Sequence, residues 1–158
     1  GTCRLLTPSH RAALLDAQTP HCWRLDAATA AELAGPLRFN DLLHGLQAVK
    51  PGLLGDVILA RKDIATSYHL AVVVDDAAQH ITHVTRGDDL LPSTHVHRLL
   101  QTLLGLPAPT YLHHALVCDD RGRRLAKRHD SLSLASLRSS PEPLTPESLR
   151  ALLPPLPW

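Results

Sequence analysis

Five cationic side chains, Arg121, Arg123, Arg124, Lys127 and Arg128, fall within eight residues, directly after an apolar stretch that ends at Val117 and Cys118. Clustered guanidinium and ammonium groups on a loop at the mouth of a sheet are suited to a polyphosphate, because they neutralise several phosphate oxygens at once. Standing alone, such a run reads as a solvated surface. A second candidate is Arg86, in Thr82-His83-Val84-Thr85-Arg86-Gly87-Asp88-Asp89-Leu90-Leu91, where the β-branched residues predict a strand and Gly87 its end. An arginine at the carboxyl edge of an α/β sheet sits where such folds bind ligands, and its planar fork suits a carboxylate. From these residues alone, the favoured readings are a surface Arg86 paired with Asp88 or Asp89 and a Tyr68 that is packed with its hydroxyl in water.

Other chemistries find less support. The histidines His80, His83, His95, His97, His113 and His114 invite a metal reading. His80 and His83 fit helical spacing, as does Asp76 with His80, but the set spans a helix-to-strand turn, so no metal cluster is expected from it. No nucleophile motif accompanies a Ser-His-Asp set. Three cysteines, Cys3, Cys22 and Cys118, are odd in number and widely spaced. That pattern argues against a disulfide framework and for a reducing, cytoplasmic setting.

The elements that must position these groups form a mixed pattern. Trp23-Arg24-Leu25 reads as extended, and Thr29 to Ala34 as a short helix stopped by Gly35-Pro36. Phe39 to Gly45 and Asp56 to Ala60 read as strands separated by the Pro51-Gly52 turn signal. Val72-Val73-Val74 favours a strand by propensity, and Ile81 to Val84 reads as a core strand. Ser93-Thr94 reads as an N-cap for a helix whose apolar face is Val96, Leu99, Leu100, Leu103 and Leu104, ended by Gly105. Thr110 to Cys118 reads as a buried strand feeding the basic loop. Ser131 to Arg138 and Thr145 to Arg150 read as short helices, the second with a threonine cap and Pro146 at its first position. Six of the thirteen prolines follow Ser140, which marks the tail as surface.

A chain of 158 residues is one domain or a piece of one, and a domain of this size buries roughly 70% of its unfolded surface. With 44% hydrophobic residues but one Phe, two Trp and two Tyr, the interior must be built from Leu, Ala and Val. No apolar run approaches the roughly 20 residues that span a bilayer, so no membrane association is expected. The net charge of +1 gives no global attraction to nucleic acid, which leaves local patches such as Arg121 to Arg128 to contact RNA.

Four blocks in order carry a resemblance: Tyr68-His69-Leu70-Ala71-Val72-Val73-Val74-Asp75-Asp76; Ile81 to Leu91 with Ser93-Thr94; Leu104-Gly105-Leu106-Pro107 with Tyr111-Leu112-His113; and Arg124 to Arg128. Together they resemble the second half of the class I glutamyl-type tRNA synthetases, and most closely the short paralogues that load glutamate onto queuosine, the glutamyl-Q tRNA(Asp) synthetases. The match runs from about Phe39 to Arg128, with an echo at Gly1-Thr2-Cys3-Arg4. It implies an α/β fold: the second half of a Rossmann-like parallel sheet with an inserted subdomain and a small helical extension. In that scheme residues 1–55 are the inserted, connective part with the remnant of a zinc-site region. Residues 56–130 are the second half of the nucleotide-binding fold, and 131–158 the extension and tail. The resemblance also makes the Tyr68 segment a helix against its propensity, and helix is the expectation adopted.

Its implications for chemistry are specific. The family's ATP loop, Lys-(Met or Leu)-Ser-Lys-(Ser or Arg), is matched by Arg124-Leu125-Ala126-Lys127-Arg128, so that Lys127 becomes the catalytic, ATP-contacting lysine. Arg124 keeps the first charge, while Ala126 lacks the usual hydroxyl. Tyr68 and Arg86 are implied as glutamate contacts. Cys3 matches the last ligand of the family's zinc site, whose other ligands would precede residue 1, so zinc is expected only in the full-length protein. The half that bears the His-Ile-Gly-His-like signature is likewise expected upstream. Implied substrates are glutamate, ATP with Mg2+, and tRNA(Asp) bearing queuosine, acted on by a monomer. The alternatives are a glutamyl-tRNA synthetase fragment that charges tRNA(Glu), or a noncatalytic RNA-binding remnant. His113, within the family's Tyr-Leu-His segment, is read as a packing or hydrogen-bonding residue.

Overall fold

The computed structural model describes residues 2–118, 121–124, 135, 138–139 and 145–152. Its centre is a four-stranded sheet in the order β3-β2-β6-β5, built from β2 (Arg38–Asp41), β3 (Gly45–Ala48), β5 (His83–Gly87) and β6 (Thr110–His114). β5 and β6 run parallel in unbroken register from His83↔Thr110 to Gly87↔His114, and β2 joins β6 in parallel at Asp41↔Tyr111. β3 departs from the all-parallel expectation. It folds back on β2 as an antiparallel hairpin, with Gly45 at φ +71 supplying the left-handed turn conformation. A separate two-stranded pairing joins β1 (Trp23–Arg24) to β4 (Ile58–Ala60).

The helices are α1 (Pro8–Asp16), α2 (Ala27–Ala34), α3 (Tyr68–Ala78) and α4 (Leu91–Leu103), with a further helical stretch at Pro146–Leu152. In α3 the helical expectation holds although its centre is Val72-Val73-Val74. Tertiary packing overrides propensity here: Val73 is buried with Val57, Val96 and Leu100, flanked by Leu25, Leu59, Val72 and Leu106. Each such aliphatic side chain contributes about 1.5–3 kcal/mol when fully buried, more than a valine loses in helix propensity. The helix ends where His80 turns to φ +54 and the Ile81 amide bonds back to the Asp76 carbonyl.

Several boundaries differ from those expected. Ile81 belongs to the turn after α3, so β5 starts at His83 and extends through Arg86 to Gly87. The strand read as Phe39 to Gly45 ends at Asp41, because the Asp41 carboxylate accepts the amides of Leu43 and His44 and bends the chain into the hairpin. Helix α4 begins at Leu91 with Pro92 in its first turn, so Ser93-Thr94 is not its N-cap. The Thr145 cap holds, its hydroxyl accepting the Ser148 amide at 3.2 Å. α1 was not anticipated, and it buries no residue. The four-stranded sheet draws strands from both sides of residue 55, the boundary expected between the first two segments. Ser131 to Arg138 falls largely outside the described residues.

Candidate active site

Strand β5 delivers Arg86 to the carboxyl end of the sheet, between β6 and the two helices packed above it. Gly87 follows because the space is taken: a Cβ there would meet Leu116 Cδ2 at 2.7 Å and Asp89 Oδ1 at 2.8 Å. The Arg86 guanidinium is surrounded by acceptors from three elements. Nε donates to His113 Nε2 on β6 at 3.1 Å, and Nη1 donates to the Tyr68 hydroxyl at the start of α3 at 3.2 Å. Nη2 donates to Thr94 Oγ1 on α4, and both Nη1 and Nη2 reach His97 Nδ1 at 3.3 Å. The Tyr111 ring lies beneath, 5.3 Å from Cζ. All these acceptors are neutral, and among the described residues no carboxylate is in ion-pair contact with Arg86.

The surface alternative for Arg86 therefore fails. Asp88 pairs with His44 Nε2 at 2.8 Å, and Asp89 with Arg124 at 2.5 Å. Tyr68 lies beside Arg86 with half its surface exposed. The sequence singles out both residues, and His113 is the hydrogen-bonding residue it is read to be, whereas Asp41 and the role of Thr94 are missed. His113 Nδ1 lies 2.5 Å from Asp41 Oδ2 with both side chains fully buried, and Thr94 Oγ1 lies 2.9 Å from His113 Nε2. His97 Nε2 contacts His69 Nδ1 at 3.1 Å.

The hydrogen bonds define the protonation pattern. A nitrogen that accepts from an arginine carries no proton, so His113 holds its proton on Nδ1 and donates it to Asp41, and His97 holds its proton on Nε2, toward His69. The electrostatics agree. Burial, followed by the Arg86 charge, pushes His97 down to about 3. Burial and Arg86 also lower His113 and His69, although Asp41 acts in the opposite direction on His113. Burial pushes the Asp41 carboxyl up, but bonds from His113, His44 and Leu43 overcome it and leave the group below its ordinary value. On α3, burial raises Asp76, with Arg86 opposing. The arrangement is a cation held by neutral acceptors, able to take a carboxylate without first breaking an internal ion pair.

The basic loop is described only at its start. Arg124 forms an antiparallel bridge with Cys118 and pairs with Asp89 where both are substantially exposed, a geometry worth about 0–1 kcal/mol. Leu125, Ala126, Lys127 and Arg128 lie outside the described residues. Cys3 is an exposed free thiol, and among the described residues no group of three or more His, Cys, Asp or Glu is placed to hold a metal. One thiol does not fit a four-ligand zinc site, so no chemistry is routed through zinc. No helix among the described residues is long and apolar enough to cross a membrane.

Comparison with known proteins adds independent findings. Residues 1–152 match the family described as "tRNA synthetases class I (E and Q), catalytic domain". The chain is 46% identical over 137 residues to a glutamyl-Q tRNA(Asp) synthetase of Rhodobacter capsulatus, which covers 82% of this chain and 47% of that protein. It is 44% identical over 153 residues to one of Nocardia farcinica, covering 97% and 46%. Among solved structures, the glutamate-tRNA synthetase of Elizabethkingia anophelis superposes with a TM-score of 0.63 at 33% identity, over 78% of this chain and 24% of that one. The chain thus spans about half the length of the curated relatives it matches.

Proposed function

The chain belongs to the class I tRNA synthetase family for E and Q, and from that premise we propose that it is part of a ligase that activates glutamate as its adenylate and transfers it to queuosine in tRNA(Asp). The observation that carries the reading is Arg86: a cation at the carboxyl edge of a parallel sheet whose described partners are all neutral. In this reading Arg86 and Tyr68 hold one carboxylate of glutamate. Ligand access is from the Tyr68 side, the exposed one.

The other carboxylate attacks the α-phosphorus of ATP. A new oxygen–phosphorus bond forms, the bond to the bridging oxygen breaks, and pyrophosphate leaves with the electron pair. Charge builds on that leaving group, and the family resemblance assigns its neutralisation to Lys127 within Arg124-Leu125-Ala126-Lys127-Arg128, with Mg2+ accompanying ATP. A hydroxyl of queuosine then attacks the activated carbonyl, and AMP departs. Residues 56–130 supply the second half of the nucleotide-binding fold in this scheme. Residues 1–55 add β2 and β3 to its sheet beside the connective part, and Cys3 would serve as a zinc ligand only together with ligands that this chain does not supply.

Two measurements test the proposal. In the protein that carries this chain, Lys127→Ala should lower kcat for glutamate-dependent ATP–pyrophosphate exchange by about 10²–10³, as loss of one preorganised transition-state donor does, with little change in the glutamate KM. An unchanged kcat would remove the basic loop from the mechanism. Charging assays with purified tRNAs decide the acceptor: tRNA(Asp) should be charged only when it bears queuosine. The second reading, a glutamyl-tRNA synthetase, is favoured by the solved-structure neighbours and would be established by charging of tRNA(Glu) instead.

A further inference from the structure

Three side chains behind Arg86 have no role in the chemistry above, yet they are among the most completely buried polar groups described: Asp41 at 1% exposure, Thr94 at 0% and His113 at 0%. They come from β2, α4 and β6, so the cost of withdrawing them from water has been met in three separate elements. Buried polar groups of this kind persist where they hold something in place.

The geometry shows what is held. Asp41 Oδ1 is occupied by the amides of Leu43 and His44, which fixes the carboxylate and aims Oδ2 at His113. That bond keeps the proton of His113 on Nδ1 and turns the bare Nε2 toward Arg86 Nε. Thr94 Oγ1 accepts from Arg86 Nη2 and lies 2.9 Å from the same Nε2. An arginine side chain has several freely turning bonds, and two acceptors on adjacent guanidinium nitrogens leave the plane one orientation. We infer that His113, locked by Asp41, is a positioning residue for Arg86, setting the rotation in which the guanidinium meets the glutamate carboxylate. Thr94 is its second stop. This inference rests on the reading of Arg86 as a glutamate contact, and the test separates the two.

Asparagine and glutamine divide the two ends of the imidazole. His113→Asn keeps an N–H near the position of Nδ1 for Asp41 but has no acceptor at the position of Nε2. His113→Gln reaches that position with its amide oxygen and loses the donation to Asp41. Glutamate KM and kcat are measured by ATP–pyrophosphate exchange in the protein that carries this chain, with unfolding temperature alongside and Arg86→Ala as the reference. The expected result is a glutamate KM raised about tenfold in His113→Asn, the scale of one bond to a charged group, with kcat nearly retained. In His113→Gln, KM should stay within about threefold of the parent, despite a lower unfolding temperature. A KM that follows unfolding temperature across the variants would show a purely structural role and overturn the proposal. So would an unchanged KM in His113→Asn when Arg86→Ala raises it. An unchanged KM in Arg86→Ala would instead overturn the glutamate reading, and this proposal with it.

Should His113→Asn fail to fold, arginine-labelled ¹⁵N spectra of the unsubstituted protein decide. The Arg86 Nε–H resonance, bonded to a buried acceptor, should exchange with water far more slowly than those of exposed arginines. Exchange at the same rate would overturn the proposal.

Discussion

The two sides of Arg86 are built differently. Behind it, Asp41, His113 and Thr94 are fully buried, come from three elements, and make contacts of 2.5–3.1 Å to one another and to the guanidinium Nε. In front, Tyr68 is half exposed and meets Arg86 at 3.2 Å, and His69 is only partly covered and reaches Arg86 through the buried His97. Buried groups bonded to one another make a frame, and a half-exposed hydroxyl at the wet edge makes a contact that a ligand can exchange. Precision and access are thus assigned to opposite faces of one side chain, with His97, buried but reaching out to His69, joining them.

The largest stability effect belongs to the inner side. His113→Ala leaves a buried carboxylate without its partner and opens a cavity, so it should lower unfolding free energy by about 3 kcal/mol in urea titrations. Tyr68→Phe should change it by less than about 0.5 kcal/mol. Equal effects would break the comparison.

Acid sharpens it. His97 is held at about 3, whereas its ordinary value is 6.5. Between those limits the unfolded chain binds the extra proton, so stability must fall as pH drops from 6.5 toward 3, by at most about 1.4 kcal/mol per pH unit for this group. The lowered His69, His95 and His113 add to the same slope. Asp41, lowered from 3.8, adds only at the acid end, as pH falls through its folded value. Unfolding curves at stepped pH should show His97→Gln with a flatter dependence than the parent, and parallel curves would place His97 in water. The smallest expected effect is on ligand binding at the outer edge, where Tyr68→Phe should raise the glutamate KM only several-fold, the scale of one neutral hydrogen bond.

Much of this arrangement was legible before the structure. Apolar spacing located α4, and the resemblance placed Tyr68 and Arg86 together and made α3 a helix against its valines. His113 reads as a hydrogen-bonding residue from the resemblance, but its partners stayed hidden, because Asp41 lies 72 residues away and Thr94 19 away, and no local pattern encodes such pairs. Two signals pointed toward them. Asp41 shares with Phe39 the buried face of β2, where an acid needs a partner. Thr94, His97 and Gln101 recur at helical spacing on the buried side of α4, three polar residues where apolar ones would pack more simply. Ser93-Thr94 before an apolar run suggests a cap, but Pro92 places the true start upstream.

The proposed meeting of Arg86 with the substrate carboxylate is open to a direct test. The direct measurement is the glutamate KM in ATP–pyrophosphate exchange for Arg86→Ala in the protein that carries this chain, with unfolding temperature confirming the fold. Loss of the charged partner should raise KM by about 30-fold or more, the effect of truncating one side of a buried, hydrogen-bonded charge pair. A folded Arg86→Ala protein with an unchanged glutamate KM would contradict the account.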